Sequence, residues 1–263
     1  MTNWSSSVCE ANGIDIHYLR TGGSKPPVVL LHGLTGSGAC WSPLARALEA
    51  EFDVVMPDAR GHGHSSTPLS GYRYEDHAGD VVGLIQGLEL ATPVVLGHSM
   101  GGMTAAVVAS QMGAALRGVI LADPTFLSPE CQRDVYESDA VEQQRRLLSS
   151  DRADVLAQAR VRHAHRTPEI IELVTEARMN TPLDAFEVLT PPNPDYQRLV
   201  SAIDVPILLI IADKGIVSIE TARELQTLNP RLCVEQIQGA GHGLHYDQPE
   251  RFEAVVRSFL QSV

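Results

Sequence analysis

The sequence has no excess of positive charge. Its 20 lysine and arginine residues are outnumbered by 32 aspartate and glutamate residues, which gives a formal net charge of -12. Lysine and arginine also form no marked run anywhere in the chain. Proteins that bind a nucleic-acid backbone or an anionic membrane surface rely on such basic patches, so we expect neither kind of partner.

Cysteines are few, and they are scattered. The four cysteines, Cys9, Cys40, Cys131 and Cys233, form no CxxC pair, which argues against a zinc knuckle or a redox dithiol. Residues 1–11 have neither the basic start nor the apolar stretch of a secretory signal peptide. No apolar run reaches the ~20 residues that a membrane-spanning helix needs. We therefore expect a reduced, soluble protein of the cytoplasm.

The apolar residues lie in short runs separated by helical patterns. The chain has 263 residues, of which 44% are hydrophobic, so it can bury a full core without disulfides. An extended pair at 8–12 and 14–19, with a hairpin signal at Asn12-Gly13, comes first. The later runs are almost wholly apolar, as in strands buried on both faces of a parallel sheet. They occupy 28–31, 54–56, 94–96, 119–121, 207–211 and 234–237. Strands that alternate with helices predict a doubly wound α/β sheet.

Residues 126–198 break this alternation. They contain several charged helical stretches and no convincing strand. Ser128-Pro129 and Thr167-Pro168 are typical helix starts, with proline at the first helical position. We expect a helical insertion over the carboxyl edge of the sheet, where open α/β sheets bind ligands, with residues 1–125 and 199–263 forming the core domain. The alternative is a separate helical domain, which the return of the sheet pattern on both sides disfavours.

A nucleophile motif follows the strand predicted at 94–96. Residues 97–101 read G-H-S-M-G and lead directly into a helical pattern. A sharp strand-to-helix turn of this kind strains the backbone at the serine and lifts its Oγ clear of the sheet. The flanking glycines remove side chains that would collide with the neighbouring strand and helix. We therefore predict that Ser99 is the nucleophile of an acyl transfer. A serine that only capped the helix would leave the glycines unexplained.

A serine nucleophile also needs donors for the developing negative charge. His32-Gly33-Leu34 follows the first central strand and must turn close to the nucleophile. We predict that the backbone N–H groups of Leu34 and Met100 form an oxyanion hole. His32 is expected to hold this turn by hydrogen bonding rather than to act as the base.

The general base is expected after the last predicted strand. His242 lies in the glycine-rich stretch 239–243, whose backbone can pass close to the sheet edge. Three other histidines, His62, His64 and His245, are candidates for structural roles. We predict that His242 is the base.

Together these stretches resemble the α/β-hydrolase fold family over essentially the whole chain. The matching residues are 31–33, 57–65, 97–102 and 239–242. The resemblance implies an eight-stranded, mostly parallel sheet with helices on both faces, a helical cap after strand 6, and a triad in the chain order Ser, acid, His. Asp58 and Arg60 correspond to a structural loop of the family and receive no catalytic role.

The sequence leaves two candidates for the triad acid. Members of the family usually carry this residue in the loop after strand 7, at a place that falls on Gly215 here. Asp213 is the nearest carboxylate, but it comes two residues early. Other members place the acid after strand 6, and in this sequence Asp123 stands there. We favour Asp123 and keep Asp213 as the alternative.

The dehalogenase and epoxide-hydrolase branches of the family carry an aspartate at the nucleophile position, where this sequence has Ser99, so both branches are disfavoured. We expect a serine hydrolase that cleaves a carboxylic ester or lactone of a small organic substrate through an acyl-enzyme intermediate. The alternatives are a C–C bond hydrolase acting beside a carbonyl, a cofactor-free oxygenase or lyase, and a non-hydrolytic receptor. No Walker or Rossmann fingerprint occurs, and the histidines are scattered, so we expect no nucleotide cofactor and no metal. The oligomeric state and the cap residues that contact substrate are not indicated.

Overall fold

One eight-stranded sheet forms the centre of the molecule. The computed structural model describes residues 4–263. The strands are β1 (Ser5–Ala11), β2 (Ile14–Arg20), β3 (Pro27–Leu31), β4 (Asp53–Pro57), β5 (Val94–His98), β6 (Gly118–Ala122), β7 (Ile207–Lys214) and β8 (Leu232–Gly241). Their order is β1-β2-β4-β3-β5-β6-β7-β8, and β2 runs antiparallel to both β1 and β4. All other neighbours are parallel, which confirms the fold class expected from the sequence.

The first two strands form the hairpin that Asn12-Gly13 predicts. Both turn residues have positive φ, 51° at Asn12 and 77° at Gly13. A two-residue turn with this backbone matches the right-handed twist of the strands, and asparagine and glycine adopt it at least cost. The turn therefore fixes the register of β1 against β2.

Helices cover both faces of the sheet. The α-helices of the described residues are α1 (Ser42–Leu48), α2 (Tyr74–Gly87), α3 (Met100–Met112), α4 (Pro129–Glu137), α5 (Ala140–Leu148), α6 (Arg152–Arg162), α7 (Pro168–Met179), α8 (Tyr196–Ala202), α9 (Ile219–Leu228), α10 (Leu244–Asp247) and α11 (Pro249–Ser262). Short 3₁₀ turns lie at Gly38–Trp41, Gly113–Ala115 and Leu183–Leu189. Within residues 4–263, no helix is both long and apolar enough to cross a bilayer.

Two apolar cores result from this layering. Helices α2, α3, α8 and α9 pack on one face of the sheet, and α1 and α11 pack on the other. The strands between them are buried on both faces, which explains why β3, β5 and β6 are almost wholly apolar. The parallel strands end at one common edge, and the loops that follow them meet there.

The chain between β6 and β7 forms α4 to α8. Ser128 accepts a hydrogen bond from the N–H of Cys131 at the start of α4, and Thr167 accepts one from Ile170 at the start of α7. Both are the helix starts that Ser-Pro and Thr-Pro predict. Helix α8 crosses the boundary expected at residue 198, because it continues to Ala202 and packs into the core next to α3.

Strands β7 and β8 are longer than their apolar runs indicate. β7 continues to Lys214 and β8 to Gly241, with a register shift between Ala212 and Lys214. Asp213 lies at this irregularity, and its carboxylate accepts hydrogen bonds from the N–H groups of Gly239 (2.8 Å) and Ala240 (3.5 Å). The extension alternates buried Ala212 and Ala240 with exposed Asp213 and Gly239, so it is no continuous apolar run, which is why hydrophobic patterning does not detect it.

Candidate active site

Ser99 stands at a sharp turn between β5 and α3. Its φ of 55° and ψ of -118° are strained for a residue with a side chain. The turn requires glycine at two positions, since glycine has no Cβ. A Cβ at residue 97 would overlap the carbonyl of Gly101, and a Cβ at residue 101 would overlap the carbonyl of Leu31. The G-x-S-x-G spacing thus reflects two close backbone contacts. They hold the serine at the edge of the sheet.

A continuous hydrogen-bond chain joins Ser99 to a carboxylate. His242 Nε2 lies 2.9 Å from Ser99 Oγ, and His242 Nδ1 lies 2.6 Å from Asp123 Oδ2. Asp123 is completely buried, whereas the side chain of His242 is 40% exposed. A base that faces both solvent and the nucleophile, and is oriented from behind by a carboxylate, is the arrangement of a serine-hydrolase triad.

The loop after β7 holds the Asp123 carboxylate in place. The backbone N–H groups of Ile216 and Val217 donate to it at 2.9–3.0 Å. Asp123 itself has a φ of 39°, which turns its side chain towards this loop. A Cβ at Gly215 would lie 2.6 Å from both carboxylate oxygens. The glycine at the usual acid position therefore leaves the space that the carboxylate of Asp123 fills.

The alternative acid occupies a different place. Asp213 is exposed, and its carboxylate accepts the Gly239 and Ala240 amides instead of contacting His242. The hydrogen bond from Gly239 lowers the pKa of Asp213 below its ordinary value. Of the two carboxylates that the sequence left open, only Asp123 contacts the histidine.

The two amides predicted for the oxyanion hole belong to residues close to Ser99, Met100 in sequence and Leu34 through its neighbour Gly33. Met100 is the first residue of α3, so its N–H has no acceptor within the helix. A Cβ at Gly33 would lie 3.1 Å from the Cβ of Ser99, which places the backbone leading into Leu34 next to the serine. His32 holds this turn, since its Nδ1–H donates to the Gly33 carbonyl at 2.8 Å and its Nε2 accepts the Ala59 N–H at 2.9 Å.

His98 is a residue of the site that the sequence reasoning did not single out. Its Nε2–H donates to the carbonyl oxygen of His242 at 2.8 Å, and its ring lies 4.7 Å from the ring of His242. Burial, followed by the nearby charge of His242, lowers the pKa of His98 to about 3. A neutral ring thus supports the backbone at His242. Its position inside the G-x-S-x-G motif was the available signal.

Two of the other histidines that the sequence offered, His62 and His245, have structural contacts. His62 Nε2 accepts the N–H of Thr35 at 3.3 Å, and burial lowers the pKa of His62 to about 3. The ring of His245 is buried and stacks on Trp41 with centroids 4.5 Å apart. Among the residues the structure describes, no group of three or more His, Cys, Asp and Glu side chains is arranged to hold a metal.

Comparisons with known proteins agree with this fold. The family model described as "alpha/beta hydrolase fold" matches residues 26–249. N-formylmaleamate deformylase of Pseudomonas putida is 30% identical over 260 residues, which cover 95% of this chain and 94% of that protein. The sn-1-specific diacylglycerol lipase ABHD11 of Xenopus laevis is 28% identical over 95% of this chain and 85% of its own. Among solved structures, the enol-lactonase from Burkholderia xenovorans LB400 has a TM-score of 0.81 at 25% identity, covering 97% of this chain and 100% of that one.

Proposed function

The chain belongs to the α/β-hydrolase fold family, and on that basis we propose that it is a serine hydrolase that cleaves a carboxylic ester or lactone of a small organic molecule. The observation that carries the proposal is the unbroken chain from Ser99 through His242 to Asp123, with contacts of 2.9 and 2.6 Å. A lipase and an enol-lactonase among the similar proteins support the choice of ester and lactone substrates.

In the proposed reaction, Ser99 Oγ attacks the acyl carbon while His242 Nε2 takes the hydroxyl proton. Asp123 accepts the Nδ1–H of His242, fixes its tautomer and stabilises the imidazolium. The amides of Leu34 and Met100 donate to the oxyanion of the tetrahedral intermediate. His242 then returns the proton to the leaving oxygen, which leaves an acyl-enzyme. Water attacks this acyl-enzyme with His242 again as the base, and the acid is released. The helices between β6 and β7 would cap this edge of the sheet.

Hydrolysis of an amide is a second candidate. It is favoured by one observation, the 30% identity to N-formylmaleamate deformylase over nearly the full length of both chains. The same triad serves both bonds, because only the leaving group differs: the proton from His242 goes to nitrogen instead of oxygen.

The test is an activity panel with short aryl esters, enol lactones and N-formyl amides. We expect the wild-type protein to turn over an ester or lactone, and Ser99→Ala to lower kcat by roughly 10³-fold or more. Formate release from the N-formyl amides alone would favour the amide candidate instead. If Ser99→Ala kept more than about a tenth of wild-type kcat, the serine mechanism would be wrong. Oxygen consumption without hydrolysis would point to the oxygenase alternative.

A further inference from the structure

A second hydrogen-bonded Ser–His–Asp chain lies outside the candidate active site. Ser6 Oγ is 2.8 Å from His17 Nε2, and His17 Nδ1 is 2.7 Å from Asp58 Oδ2. The corresponding distances at Ser99 are 2.9 and 2.6 Å. Sheet pairing creates the contact, because Val8 of β1 faces His17 of β2, and Ser6 lies two residues before Val8 on the same face.

The hydrogen bonds around Asp58 determine which nitrogen of His17 carries the proton. The N–H of Gly38 donates to Asp58 Oδ1 at 2.7 Å, and the N–H of His64 donates to Oδ2 at 2.9 Å. A carboxylate that receives these donors accepts further hydrogen bonds only, so His17 must place its proton on Nδ1. Its Nε2 then presents a lone pair to Ser6, and the serine hydroxyl donates. This is the polarity that a general base requires.

The hydrogen-bonded Ser6–His17–Asp58 arrangement is accessible and faces an open space. Ser6 is exposed, whereas the side chains of His17 and Asp58 are only 12% and 4% exposed. A cavity of about 320 Å³ lies between this chain and helix α7. That volume is within the range of small-ligand pockets. Leu173, Glu176 and Asn180 of α7 line its other side, and Glu176 is already paired with Arg152 at 2.8 Å.

The two Ser–His–Asp arrangements differ in the backbone around the serine. Ser99 stands at a strained turn before the first turn of α3, where free amides can hold an oxyanion. Ser6 lies within an extended edge strand, so unpaired strand N–H groups and water are the donors in reach. Attack by Ser6 is therefore supported by a base and a carboxylate but not by a preorganised hole. Release of the acyl group should be slow.

We propose that Ser6, His17 and Asp58 form a second nucleophilic site that accepts acyl groups from small activated esters. Ser6 Oγ attacks the acyl carbon as His17 Nε2 takes its proton. The bond to the leaving oxygen breaks, the leaving group departs with the proton from His17, and an ester of Ser6 remains. Water hydrolyses this ester only slowly, so acyl-Ser6 accumulates.

The experiment uses the Ser99→Ala protein, in which the first nucleophile is absent. It is treated with p-nitrophenyl acetate, and phenolate release is followed together with the masses of the protein and its N-terminal peptides. We expect a stoichiometric burst and one acetyl group on Ser6. Ser6→Ala in the same background should abolish both, whereas Ser7→Ala, on the same strand, should leave both unchanged.

A third variant tests the role of the histidine. His17→Gln in the Ser99→Ala background keeps Ser6 but removes the base, and it should slow acetylation of Ser6 by roughly 10²-fold. Thermal unfolding of each variant shows that it is folded. Acetylation at Lys25 without Ser6, equal labelling of Ser6 and Ser7, or an unchanged rate in His17→Gln would each overturn the proposal.

Discussion

Replacing Gly215 by alanine should disable the proposed triad without touching any of its members. The new Cβ would lie 2.6 Å from both carboxylate oxygens of Asp123. Gly215 is not among the glycines with positive φ, so alanine adds no backbone strain of its own. Reaching an ordinary contact of 3.4 Å requires a movement of 0.8 Å, the difference between the two distances. The amides of Ile216 and Val217 hold the carboxylate against that movement.

The size of the effect follows from the bond that this movement breaks. A displacement of about 0.8 Å would take the Asp123 carboxylate out of the position from which it makes its 2.6 Å contact with His242 Nδ1. A misplacement of about 1 Å costs roughly 10²-fold in rate, and complete loss of the carboxylate costs up to ~10⁴-fold. We therefore expect kcat of Gly215→Ala to fall about 10²-fold, equivalent to about 3 kcal/mol of transition-state stabilisation, with little change in KM.

The assay is steady-state hydrolysis of an ester that the wild-type protein turns over, with thermal unfolding as a check of the fold. Gly241→Ala is the matched control. It lies in the stretch that carries His242, and its Cβ would meet nothing nearer than Asp247 Oδ2 at 3.5 Å, so its kcat should stay within about threefold of wild type. A folded Gly215→Ala protein with at least about a third of wild-type kcat would refute the reasoning.

Three further outcomes are expected. Asp123→Asn should lower kcat by up to ~10⁴-fold and Asp213→Asn by less than about tenfold, and steady-state kinetics showing the reverse order would transfer the acid role to Asp213. The double variant Asp123→Gly/Gly215→Asp should regain at least about tenfold over Asp123→Gly, because a carboxylate on residue 215 enters the vacated space; no gain would show that it cannot orient the imidazole. In the folded protein, burial lowers the pKa of His62 and of His98 to about 3. In the unfolded chain the same two side chains become protonated below about pH 6.5. The contribution of these two histidines to the free energy of unfolding is therefore fully present above pH ~6.5. It decreases on acidification by about 3 kcal/mol per pH unit for both histidines together. Urea unfolding at successive pH values measures this decrease, and a free energy of unfolding that does not change with pH would contradict it.

Local patterns were sufficient to predict most of the fold. The short apolar runs correspond to β3 to β8, and the Asn12-Gly13 signal corresponds to the turn of the first hairpin. Ser128 and Thr167 begin helices as their Pro neighbours predict. These features depend on residues close in sequence. The ends of β7 and β8 were missed because backbone pairing, which reaches Lys214 and Gly241, continues beyond the apolar runs.

Local patterns favoured Asp123 as the acid but did not exclude Asp213. The choice depends on the φ of 39° at Asp123 and on empty space at Gly215, residues 92 positions apart that meet only across neighbouring strands. From the sequence, a carboxylate after either strand was possible. The sequence did not indicate the role of His98 for a similar reason, because the acceptor of its hydrogen bond is the backbone carbonyl of His242, which is distant in sequence.

The two Ser–His–Asp chains explain why a motif can predict one site and not the other. Their contacts are nearly equal in length, so the side chains alone do not distinguish them. What the G-x-S-x-G pattern encodes is the backbone around Ser99: the close contacts of Gly97 and Gly101, the positive φ, and the helix that begins at the next residue. Ser6 lies in an ordinary extended strand and needs no particular neighbours in sequence. The motif therefore reports the backbone donors proposed as the oxyanion hole, and a hydrogen-bonded serine without them leaves no sequence signature.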